Sequence, residues 1–329
     1  MATLDKTVYS GKQFESYISL QSDALGTNDV SGTLYKIRTP EVLDIDTSAG
    51  SQFADIVRSG QRVQRPDDHI AIYKGGEFRW SFSDYAVENE AVLQLLLRLV
   101  TEDSTPSGTA QMTGDQGTVV YETGLTTGEY ACVVISSPDV DKDRLMHSSI
   151  LETLTLSMNP TTNGGRLTAS GTFFSGFQPV IAAESTAVNA TAVDYTEGFF
   201  DCTTMSIGGD DVVLNNFEVT INNPAQRSGF TEVNSISHEP SGYMRGDMIE
   251  IVGSVSAKLD DNVTDTIDDF RDGTSVNISI GEGTKIDFDI PTAKYTAYNH
   301  SITDTGVFVD LPFKATADGS NALITIKAT

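Results

Sequence analysis

The alternation of apolar and polar positions is clearest over residues 214–259. In Leu-Asn-Asn-Phe-Glu-Val-Thr-Ile-Asn-Asn-Pro (214–224), Phe217, Val219 and Ile221 face one way and Glu218 and Thr220 the other. That pattern predicts a strand buried on one side, ended by Pro224. The return strand, over 248–259, places Ile249, Ile251, Gly253, Val255, Ala257 and Leu259 on one face. The roughly twenty residues between the strands are rich in Asn, Ser, Gly and Pro, and that length marks a functional loop rather than a tight turn. It reads as a projecting arm. After Asp260-Asp261-Asn262, Val263, Ile267 and Phe270 follow at helical spacing. Asp261 or Asn262 is placed to cap this helix, Asp265 suits its dipole, and Gly273 stops it. A further alternating strand starts at Val276.

The first half follows a similar order. Residues 1–30 read as an arm anchored by Phe14, Tyr17, Ile18 and Leu20, and β patterning starts at Leu34. A polar segment, 46–68, carries Arg58, Arg62 and Arg65. Residues 69–73 and 78–82 alternate around Gly75-Gly76, which predicts a hairpin. Val92, Leu95, Leu96 and Leu99 then share one face of a helix predicted over 87–100. Strands follow at 130–136, 151–158 and 166–174, the last two joined at Asn163-Gly164, a strong hairpin signal. Strand, hairpin, helix, strand, hairpin thus occurs twice, and the repetition indicates a duplicated domain. The expected units are an arm at 1–30, a first β domain at 31–185 and a second at 196–329. Their junction falls among the small residues of 181–196.

Composition adds two constraints. Gly, Ser and Thr are abundant and long helical periodicity is scarce, so the chain is mainly β. Its 21 Lys and Arg against 46 Asp and Glu leave a net charge of −25. That charge opposes DNA binding by phosphate neutralisation. It suits either an ordinary acidic protein or a surface that a polyanion passes without sticking. Cys132 and Cys202 make neither a disulfide framework nor a metal spacing and read as buried thiols. The N-terminus lacks a secretory pattern, and the longest apolar run, 91–100, holds Gln94 and Arg98 and is too short for a bilayer. Synthesis and use without an export step, and no membrane insertion, are expected.

Candidate chemistry is thin. His69, His147, His238 and His300 have no helical metal spacing. Asp139–Asp143 opens like a calcium loop but lacks the glycine at position six and the carboxylate at position twelve, so a solvated acidic turn is the plainer reading. Gly114-Asp-Gln-Gly and Gly281-Glu-Gly are turns without the strand and helix of a phosphate loop. Gly-x-Ser-x-Gly is absent. The Arg245-Gly246-Asp247 tripeptide is short enough to recur by chance. No catalytic residue, cofactor or metal is expected, and the chain is read as structural rather than enzymatic.

The phrases LNNFEVTINNP, GDMIEIVGSVSAKLDD and VTDTIDDF, in the order strand, long arm, strand, helix, strand, resemble the tail tube proteins of long-tailed bacteriophages, of the type with a duplicated tube domain. The resemblance implies two tandem β-sandwich or barrel domains, each with one short α-helix. It implies self-association into hexameric or trimeric, pseudo-hexameric rings stacked around a lumen through which DNA is ejected. It further implies a place in the virion tail after synthesis in the host cytoplasm. The implied partners are a tape measure protein, transiting DNA, and tail tip and terminator proteins. Carried onto this chain, the loop reaching the next ring is 224–246, with Pro224, Arg227, Phe230, Tyr243 and Arg245 as its contact residues; 46–68 is its counterpart in the first half. Glu218, Glu250, Lys258 and Glu152 are the expected lumen-facing residues. A carbohydrate- or receptor-binding β module of a virion or adhesin is the alternative, and it needs exposed aromatics, of which Trp80 is the sole tryptophan. The inner tube of a contractile injection system is a second alternative, disfavoured by the duplication.

Overall fold

A computed structural model of the chain describes residues 10, 13–21, 24–27, 30, 33–41, 44–45, 51–55, 69–74, 76–102, 109–113, 119–122, 129–138, 142–182, 198–202, 204–229, 240–260, 263, 266–281, 286–303, 306–317 and 322–328. They form a mainly β protein with one α-helix in each half. The alternation read over 214–259 is used as expected. Phe217, Val219 and Ile221 are buried in the strand Leu214–Asn222 and lie opposite Val255, Gly253 and Ile251 of Glu250–Lys258. Gly253 has a steric reason: a Cβ there would lie 2.4 Å from the Glu218 carbonyl oxygen and 2.5 Å from the Phe313 ring.

Among the described residues seven antiparallel strands form the central run of a larger sheet, in the spatial order Phe78–Ala86, Leu167–Ser175, Asp143–Met158, Leu214–Asn222, Glu250–Lys258, Gly306–Ala315 and Asn299–Thr303, and Ile286–Tyr295 takes the rest of the Gly306–Ala315 edge beside Asn299–Thr303. Asp143–Met158 is long enough to serve two sheets. Its second half joins the seven strands, while its first half pairs with Ala131–Ser136 and Val180–Ala182. Ser148, at φ 51°, lies between the two parts. Glu15–Leu20, within the segment expected as an arm, pairs with Ala131–Ser136 and Tyr35–Ile37, and its Tyr17 and Ile18 are buried. Gln21 extends the attachment, accepting from the Ser148 N–H at 2.8 Å.

Three strand pairings cross between the halves. Besides Asp143–Met158 with Leu214–Asn222, Thr109–Thr113 pairs with Ala322–Ala328, and Val119–Glu122 pairs with Gly242–Arg245. The core is correspondingly shared. One cluster runs from Ile18 through Trp80, Leu96 and Phe217 to Ile326.

Helix α1, Glu90–Thr101, starts slightly later than its periodicity suggests because Asn89 caps it, its side chain accepting from the Val92 N–H at 3.3 Å. Helix α2, Thr266–Asp272, ends as expected at Gly273, at φ 65°. The Thr274 N–H donates to the Asp269 carbonyl and the Gly273 N–H to that of Phe270, a glycine-dependent C-terminal closure. The Asn163-Gly164 hairpin also forms, both residues having positive φ. The hairpin expected at Gly75-Gly76 does not. His69–Lys74 pairs with Ser51–Asp55, and Phe78–Ala86 pairs with Leu167–Ser175. There Trp80 and Phe82 pack at a tilt against Phe173 in the core, so long-range aromatic burial sets the register in place of local turn chemistry.

His147 is buried where the long strand changes sheets, its ring 5.5 Å from that of Phe177. Burial lowers its pKa to about 4. Above the unfolded value of about 6.5 the ring is neutral in both states and its full contribution is present. Between about 6.5 and about 4 the unfolded chain binds a proton that the folded one refuses, so stability falls as pH falls. Urea unfolding is expected to show a loss of about 2 kcal/mol between pH 7 and pH 5 that a His147→Gln variant lacks. An equal loss in both proteins would remove His147 as the cause.

Candidate functional site

The foot of the long loop and the polar face of the seven-stranded sheet hold the residues singled out in the sequence. At the foot, Gln226–Arg227 pairs with Gly242–Arg245. Two of the expected contact residues are buried there. The Tyr243 ring packs edge-on against Phe174 and Phe177, and its hydroxyl accepts from the Gly176 N–H at 2.8 Å. Burial raises its pKa, which keeps the phenol neutral.

Arg245 is 3% exposed. Its guanidinium donates to the carbonyls of Asn223, Leu99 at 3.2 Å and Leu151 at 3.0 Å, and pairs with the Glu102 carboxylate. It therefore ties the loop to the end of α1 and to the long strand. Asn223 reinforces the junction by donating to the Val100 carbonyl at 2.9 Å. A planar five-donor group suits such a convergence of carbonyls, where a lysine would leave several unpaired. The Arg245-Gly246-Asp247 tripeptide accordingly offers no accessible arginine.

Pro224 and Arg227 stay partly exposed, with Arg227 Nε 4.0 Å from Glu77. Phe230 lies outside the described residues, as do 231–239 and most of 46–68. Nothing in the sequence links Arg245 to Glu102, Leu99 and Leu151. The only local sign was an arginine in an otherwise uncharged strand.

Of the four residues expected to line a lumen, three share the polar face. Glu218 and Lys258 are exposed, and Glu250 is paired with Lys314 at 2.6 Å. Glu152 is placed differently. It is 8% exposed, accepts from Arg79 Nε at 3.1 Å, and takes the Ala225 N–H at 3.3 Å. The register shift between Thr172 and Phe173, opposite Glu152, breaks the alternation there and folds its carboxylate beneath the loop foot.

The rest of the face is mainly hydroxyl and amide. Ser81 bonds Thr172 at 2.9 Å, and Thr155 bonds Thr220 at 2.8 Å across the seam between the halves. Asp84, Arg166 and Glu218 line one shallow recess with Ser157, Thr168 and Ser170. Among the described residues no three metal-ligating side chains gather, and no helix is long and apolar enough to cross a membrane.

Replacing Arg245 with methionine leaves the Glu102 side chain, 9% exposed, without its cation and takes a donor from three carbonyls. The expected cost is about 3–5 kcal/mol in urea unfolding, with faster amide exchange over Gly242–Arg245. A cost under about 1 kcal/mol, the range of an exposed pair, would show that the arginine does not hold the loop.

A protein-family model described as "phage tail tube protein" matches residues 20–326. No curated protein matches the chain.

Proposed function

The chain belongs to the phage tail tube protein family, and from that premise we propose that it is the repeating ring subunit of a tail tube through which DNA is ejected. The family supports a structural role in the virion tail. The observation that carries the finer reading is that the seven-stranded run includes two strands, Phe78–Ala86 at one end and Asn299–Thr303 beside Ile286–Tyr295 at the other, each with a single neighbour among the described residues. An open sheet edge invites a further strand. Joining one copy's first edge to the next copy's second edge is a heterologous contact, and such contacts close into rings.

In this reading the polar face, with Glu218, Glu250 and Lys258, looks into the lumen, while the core face packs against α1 and the outer strands. The sheet already merges the contributions of both halves, which favours a trimeric, pseudo-hexameric ring over a hexamer of the whole chain. Residues 228–241, held from below by Tyr243 and Arg245, reach the next ring; those two residues fix the arm rather than make the contact. Tape measure protein and DNA are the lumenal partners, and tip and terminator proteins bind the tube ends. The reading as a carbohydrate-binding module loses its candidate, because Trp80 is 2% exposed and packed on Phe82 and Phe173.

Negative-stain electron microscopy of the purified protein, across concentration and salt, is expected to show hollow rings or tubes with threefold averages. Sixfold averages would replace the trimer with a hexamer. A monomer in every condition, even when seeded with purified tail tips, would count against the tube reading. Replacing residues 234–239 by a short Gly-Ser linker keeps Tyr243 and Arg245 in place, and should yield rings that stack poorly. Normal tubes from that variant would remove the arm from the stacking contact.

A further inference from the structure

We infer that the polar face of the seven-stranded sheet is a near-neutral, hydroxyl-lined wall, suited to a polyanion that slides past it without being either held or strongly repelled. The inference rests on the tube reading above, in which this face is the lumen. It departs from the simplest expectation for a chain of net charge −25, namely that the acids line the passage.

The charges say otherwise. Among the described residues the face carries Asp84, Glu218, Glu250 and Asp310 against Arg166, Lys258, Lys314 and, opposite Lys314 on the adjoining strand, Lys294, four carboxylates to four cations and hence no net charge. Glu250 and Lys314 neutralise each other at 2.6 Å. Asp84 and Glu218 share their recess with Arg166. At the margin of the face, Arg79 and Glu152 pair and cancel. Acidic residues among those described also lie away from this face, for instance Asp268, Asp269 and Asp272 on α2.

The uncharged remainder follows from sheet geometry. Every second residue must point to this face, and many of those positions hold hydroxyls that bond one another, as Thr155 does with Thr220 across the seam and Ser81 with Thr172 within the first half. Hydroxyls satisfied in this way present a hydrated surface with no fixed cation to trap a phosphate and release its counterions. Nor do they present a carboxylate field that would oppose entry at low salt. A wall of this kind makes passage of DNA nearly independent of ionic strength.

The two buried native thiols, Cys132 and Cys202, leave an introduced cysteine as the selective labelling site. Ser254→Cys lies in the middle of the face, opposite Glu218. Phe270→Cys lies on exposed α2 beside Asp268 and Asp269. Each is labelled with a pH-sensitive dye, assembled into tubes, and titrated at about 10 mM salt, where charges act over about 30 Å, and again at about 1 M, where they act over about 3 Å.

The dye at position 254 is expected to keep the same apparent pKa at both salts within a few tenths of a unit, while the dye at 270 shifts clearly upward at low salt. An equal salt-dependent rise at 254 would overturn the near-neutral wall. A separate readout tests the premise. A bulky polyethylene-glycol maleimide should modify the thiol at 254 in free subunits and be excluded in tubes. If it reacts equally in both, the face is external, and the lumen assignment falls together with the wall.

Discussion

Six residue pairs, from Thr153–Asn222 to Met158–Phe217, hydrogen-bond the sheet of one half of the chain to the sheet of the other. Without them each half would end in a long strand with a row of unpaired amides and carbonyls, the exposed edge that promotes aggregation. With them, Leu154 and Leu156 meet Ile221 and Val219 on a common apolar face, and a single core runs through both halves. The two halves thus build one wide sheet rather than two separate globules. Thr109–Thr113 and Gly242–Arg245 reinforce the union by pairing across the halves elsewhere.

Merging the two sheets creates a junction that needs its own solution. The long strand leaves one sheet for the other around Ser148–Thr153, and the ladder there is broken by a register shift. Carbonyls freed near such a shift must find donors. Arg245 supplies them to Leu151, Asn223 and Leu99 at once, and Glu102 balances its charge. Burying that much charge is costly unless it is fully partnered. The reward is positional: the strand Gly242–Arg245 is fixed against the helix and the sheet simultaneously.

The same sheet imposes a division of labour on its two faces. Core positions are occupied by large apolar side chains, with Gly253 conceding room to Phe313. Opposite positions are mostly small and polar. Two edge strands remain available at the ends, and Asn299–Thr303 is uncharged, with Ile302 82% exposed. An edge left without the charges that usually protect it is consistent with one that is covered in an assembly.

By itself the sequence determined whatever depends on neighbours a few residues away. Alternation reports which side of a strand is buried, so the strands around Phe217 and Ile251 and the polar positions of Glu218, Glu250 and Lys258 were legible. Helical spacing located α1, spacing with the Gly273 stop located α2, and Asn163-Gly164 located a hairpin, because helix stops and turns are short-range chemistry. Periodicity carries no record of which distant strand will be the partner. Gly75-Gly76 looked like a turn, yet the aromatic face of Phe78–Ala86 found Phe173 instead. Glu152 sat in an alternating stretch, but the register shift opposite it, which arises only when Leu167–Ser175 docks, turned it inward to Arg79. Tyr243 and Arg245 read as contact residues of a loop and are buried at its foot, because their partners Gly176, Leu99, Glu102 and Leu151 lie 67 to 146 positions away in the chain. Tertiary structure decided those roles, since desolvation and convergent hydrogen bonding exist only once the separated segments have met.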